Sequence, residues 1–197
     1  MPIAARDLPP DAVAAVRRAL AATGRFPRRR GAALSLTLPH PVFTVGLEAL
    51  AARRPLSEAA ELAGWRALLE EDTTVVAAVE AAVPAAGAAI SDASINRGAF
   101  VQSTVEALDA AEKDDRVASK HFEIRLLRVV ALYVVALWLR SSEDAASDLF
   151  VPLAPAPAPL KAGVAFEAER FEGDLAGMSE ALVSAYEAAE RPDELGS

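Results

Sequence analysis

The sequence predicts an α+β domain, an antiparallel sheet of about five to seven strands with helices packed against it. Three observations carry this expectation. Short segments alternate in the two-residue period of a half-buried strand, as in Leu34–Leu38 (LSLTL) and Phe122–Leu126 (FEIRL). Long stretches are dense in Val, Leu, Tyr and Trp. A helical stripe near the C-terminus, Phe171, Leu175, Met178, Leu182 and Tyr186, recurs at intervals of three and four.

Pro9-Pro10 and Asp11 open a first helix, with Val13, Val16 and Leu20 on one face and Gly24 as its stop. The polar run 25–31 (RFPRRRG) leads to a strand at Leu34–Leu38, which stops at Pro39-His40-Pro41, and VFTVGL restarts as a second short strand. Glu48–Ala52 and Glu58–Ala63 read as helical turns, with Ser57 as a cap and Gly64 as a stop. Trp65–Glu70 and Thr74–Val83 pair as a hairpin through Glu71-Asp72-Thr73. Pro84–Gly98 is a loop. Val101, Val105, Leu108 and Ala111 then mark a helix that begins near Ala99, after a cap from Ser94 or Asn96.

Lys120–Arg140 holds no Gly or Pro, and a single buried helix there would make the fold all-α. The alternation of Phe122, Ile124 and Leu126 with Glu123 and Arg125 favours two strands kinked near Val129–Ala131. Ile124, Leu126, Val135, Leu137 and Trp138 are then core positions. Asp148–Leu153 adds a strand. This divides the chain into a globular body over 1–153, a proline-rich extended connector over 154–160 (LAPAPAPL spans 153–160), and a C-terminal amphipathic helix with a frayed end over 161–197.

Composition narrows the function classes. The 197 residues include no cysteine, which excludes disulfides, thiolate metal sites and thiol nucleophiles. With no signal-like N-terminal segment, the cytoplasm is the expected location. The longest uncharged apolar run, Val129–Leu139, falls well short of the ~20 residues of a membrane span. Of 20 basic residues only Lys113, Lys120 and Lys161 are lysine; abundant Ala and Arg suggest a GC-rich, bacterial genome. Net charge is −8 but uneven, since the first 54 residues hold nine arginines against Asp7, Asp11 and Glu48. The run Arg28-Arg29-Arg30 suits phosphates, yet an acidic chain with Phe26 as the only nearby aromatic argues against nucleic acid.

The phosphate-loop, dinucleotide, nucleophile-elbow and HExxH patterns are all missing. The remaining catalytic candidates are His121 and Glu123, two apart on a strand and so on one face. Ser94, Asn96 and Arg97 form an anion-binding candidate at a helix start. The 92–103 segment lacks the glycine and glutamate placement of a calcium loop, so neither a metal site nor a cofactor is expected. The expected function is a non-enzymatic interaction or accessory protein that contacts a protein partner or itself as a homo-oligomer, through Phe171, Leu175, Met178, Leu182 and Tyr186. The alternative is a small-molecule-binding protein or hydrolase with a pocket where Ser91–Gly98 meets His121.

Overall fold

The structure, a computed structural model, describes residues 3–22, 33–84 and 88–190. Its element order is β1 (Ile3–Ala4), α1 (Pro10–Ala22), β2 (Leu34–Thr44), α2 (Leu47–Ala51), α3 (Leu56–Ala59), β3 (Glu61–Glu71), β4 (Thr74–Ala82), β5 (Ala93–Asn96), α4 (Ala99–Glu112), α5 (Asp115–Ala118), β6 (Phe122–Val129), β7 (Val134–Ser141), β8 (Leu149–Pro152), β9 (Phe166–Glu167) and α6 (Ala168–Glu190). The α+β class holds. The run Arg28-Arg29-Arg30, the helix stop at Gly24 and the frayed end at 191–197 lie outside the described residues.

The sheet differs from expectation in size and in kind. Among the described residues it has nine strands, in the order β5-β4-β3-β2-β6-β7-β8-β9, with β1 beside β6. It is mixed, because β6 runs parallel to both β1 and β2. The physical reason lies in the connectivity: β2 to β5 form one antiparallel meander and β6 to β9 a second. The α4–α5 crossover brings the second back alongside the first strand of the first, as a parallel pairing requires.

β2 is one long strand, where two short ones are expected. Two residues, Leu38 and Pro39, stand opposite the single Ala67 of β3, so the pairing skips from Thr37–Leu68 to His40–Arg66. This bulge absorbs the proline, and Leu38 takes a left-handed backbone (φ 46°) to make it. The cis peptide bonds of the described residues precede Pro155 and Pro159. β3 begins at Glu61, so Gly64 is a strand residue and no helix stop. A Cβ at Gly64 would stand 2.8 Å from the Ala81 carbonyl oxygen of β4, so glycine there serves close strand approach.

β6 and β7 form a hairpin through the turn Val130–Leu132 and Tyr133, as the alternation in Lys120–Arg140 predicts. Ile124, Leu126, Leu137 and Trp138 are fully buried and Val135 partly so. Three apolar clusters cover the sheet. One lies between α4–α5 and the central strands, around Ile124, Leu126, Leu137 and Val151. A second, on the opposite face, joins α2, α3 and α6 to Trp138 and Phe150. A third lies under α1, around Leu69, Ala77 and Val79. The 153–160 segment is anchored at both ends by buried Leu153 and Leu160, and Leu160 N–H closes a turn on the Pro157 carbonyl at 3.0 Å.

Candidate functional site

α6 follows β9, at one edge of the sheet, and begins against β8. Phe171 stacks on Phe150 at 4.6 Å, and Phe150 stacks on Trp138 at 5.6 Å. Glu172 accepts the backbone N–H of Leu56 at 2.9 Å, and burial raises the pKa of this carboxyl. Two turns on, the Ser179 hydroxyl donates to the Leu47 carbonyl at 3.1 Å. Leu47 follows directly on the segment where Thr44 pairs with Arg128, so α6 has by then reached the end of the sheet that carries the β6–β7 turn.

Beyond that point the helix outruns its support. Phe171 and Leu175 are fully buried, Met178 and Leu182 partly, and residues 183–189 all face solvent. From Ser179 to Glu190 the helix advances about 16 Å at ~1.5 Å per residue. Val183 and Tyr186 therefore sit on a projecting end, and Tyr186 is 62% exposed. At the same end of the sheet, Val130 and Tyr133 are 72% and 84% exposed. Tyr133 holds a left-handed backbone (φ 54°), a conformation that costs a bulky residue about 1–2 kcal/mol and that aims its ring outward. The sequence points to the α6 stripe but not to Tyr133, because an aromatic at a hairpin tip reads as one more strand residue.

The enzyme-type candidates are dispersed. His121 is exposed just ahead of β6. Glu123 turns to Arg125 at 2.9 Å and to Arg6 at 3.9 Å, so no acid–base couple forms with His121. Asn96 accepts the Gly98 N–H at 2.7 Å, a local turn ahead of α4, whose N-cap is Gly98 with no side-chain cap; the expected cap from Ser94 or Asn96 is thus replaced. Ser94 lies on β5 opposite Glu80, and Arg97 follows the strand. β5 and β6 are four strand spacings apart, about 19 Å at ~4.8 Å each, so Ser91–Gly98 and His121 line no common pocket.

A polar row unforeseen in the sequence lies beneath α4. His40, Arg66 and Glu80 face one another in register across β2, β3 and β4. Arg66 is 1% exposed; its Nε is 3.5 Å from Glu80, which also receives Arg128 at 2.6 Å, and its Nη2 donates to the Phe100 carbonyl at 3.3 Å. His40 Nδ1 is 2.6 Å from the Leu38 carbonyl oxygen, which only accepts, so the proton sits on Nδ1 and Nε2 is left without a partner. Burial pushes the His40 imidazole down to about 4, and burial likewise lowers the pKa of Arg66. With His40 wholly enclosed, this row offers no open base to a substrate.

Among the described residues no group of three or more His, Asp or Glu side chains is placed to hold a metal ion, and no helix is long and apolar enough to cross a membrane. No protein-family profile, no curated protein and no solved structure matches the chain.

Proposed function

We propose that the chain is an interaction or accessory protein that works through protein–protein contact, docking a partner on the end of the sheet where α6 projects beside the Val130–Tyr133 turn. The observation that carries this reading is the projecting half of α6. An isolated helix of two or three turns is marginal in water, and most helical stability comes from packing of an apolar face. Val183 and Tyr186 continue that face past the body that packs Phe171 and Leu175. Two tyrosines serve such a contact well, supplying large rigid area with a polar tip. Glu187 flanks the exposed end of the stripe and favours a partner with a basic residue beside its apolar contact, whereas Glu180 is already paired with Arg53 at 2.8 Å.

Sedimentation of the purified protein over a concentration series tests whether the partner is a second copy. Quantitative enrichment from extracts of the source cell, with the native protein against a Tyr133→Asp, Tyr186→Asp double variant as baits, tests whether it is another chain. The expected result is an association, with itself or one enriched protein, that the double variant loses while its melting temperature stays unchanged. A monomer at all concentrations, together with identical enrichment by both baits, overturns the reading.

A further inference from the structure

At the opposite end of α6, the loop after Pro159, strand β9 and helix α5 surround a hollow of about 430 Å³, within the range of ~300–1,000 Å³ typical of small-molecule sites. We propose that it binds a small organic anion, a carboxylate or sulfonate on an aromatic or aliphatic body.

The lining is of two kinds. Pro159, Val164 and Phe166 supply an apolar wall, and Arg116, Lys161 and Arg170 supply three cations against the single carboxylate of Glu167. Arg116 is largely committed, since it pairs with Asp114 at 2.7 Å and reaches Glu167 at 3.5 Å. Among the described residues no ion pair reaches Lys161 or Arg170. The Arg170 guanidinium instead lies over the Phe166 ring at 5.2 Å, leaving its edge donors for an acceptor in the hollow.

In a chain of net charge −8, two cations outside any ion pair that meet at one concavity, where Glu167 is already shared with Arg116, leave a local positive excess. Low-dielectric walls focus such a field toward the concavity. The positive end of the long helix α6 starts beside it and adds to the same sign. Val164, 40% exposed, offers apolar surface at the mouth, so the preferred anion carries an apolar body and bare inorganic phosphate uses only half of the site.

The test is a fluorescence titration of the full-length native protein with anilinonaphthalene sulfonate, an amphipathic anion that brightens on leaving water. A single saturable site is expected, with benzoate displacing the dye and phosphate displacing it only at much higher concentration. Lys161→Glu with Arg170→Glu should weaken binding at least about tenfold, the equivalent of ~1.4 kcal/mol; the milder Lys161→Ala with Arg170→Gln should act in the same direction with the melting temperature unchanged. Binding that ignores both pairs of substitutions, or dye lost instead by Tyr133→Asp and Tyr186→Asp, overturns the proposal, as does the absence of binding.

Discussion

The indole N–H of Trp138 donates to the carboxylate of Asp148 at 2.6 Å, and both residues are buried. The other carboxylate oxygen accepts from Arg140 Nη1 and from the Ser141 backbone N–H, each at 2.9 Å. One acid therefore ties β7 to the start of β8 and satisfies three donors. Asp148→Ala leaves the Trp138 N–H without its acceptor inside the core, and should cost about 1–3 kcal/mol, the desolvation penalty of an unsatisfied buried donor. Asp148→Asn should cost less, because an amide still accepts from one donor. Urea unfolding of the two variants checks both the size and the order.

Acid sensitivity should trace to His40. Its folded value of about 4 lies below the ordinary 6.5, so between those values the unfolded chain binds the extra proton. Stability is therefore complete above pH ~6.5 and falls by up to about 3 kcal/mol as pH drops toward 4. Denaturation midpoints measured from pH 7 to pH 4 should decline, and His40→Leu should flatten this decline even if it lowers the midpoint at pH 7. An equally steep decline in the variant would assign the effect to other groups.

The two ends of the α6 stripe should respond differently. Leu175 is fully buried, and Leu175→Ala should cost about 2–5 kcal/mol. Tyr186→Ala, on the projecting turn, should stay within about 0.5 kcal/mol of the native protein. Hydrogen exchange should show the same gradient, slow amides near Leu175 and fast ones after Val183.

Gly64→Ala should be far more damaging than a strand glycine-to-alanine change usually is. The new Cβ meets a backbone carbonyl at 2.8 Å, and a backbone atom in a paired strand cannot swing aside, so a cost in the ~1–3 kcal/mol range of overpacking is expected. Thermal unfolding monitored by circular dichroism reports it directly.

Elements whose side chains declare their own period were legible before the structure. The FEIRL alternation places Ile124 and Leu126 inside, and the spacing from Phe171 to Tyr186 marks α6. Long-range pairing was not legible, since nothing local in Val42 or Leu126 announces that they lie in parallel register. Leu38–Pro39 misled because proline ends most strands, and only the bulge against Ala67 explains why β2 continues. Gly64 misled for a related reason: its use is set by β4, a partner it meets only in the fold. At the candidate site, the α6 stripe was visible, but Tyr133 and the His40–Arg66–Glu80 row depend on which strands become neighbours.

The parallel seam between β2 and β6 joins positions as much as 84 residues apart, as between Thr44 and Arg128. A ribosome adding ~5–20 residues per second takes roughly 4 to 17 seconds to cover that distance. Throughout this interval β2 can find a partner on one flank only, in β3, and its edge that will meet β6 stands open. An open edge of this kind templates pairing with other chains. The nascent protein thus passes through a window of vulnerability in every round of synthesis, and its yield in the cell depends on how crowded the polysome is and on what shields β2 until Phe122–Val129 emerges.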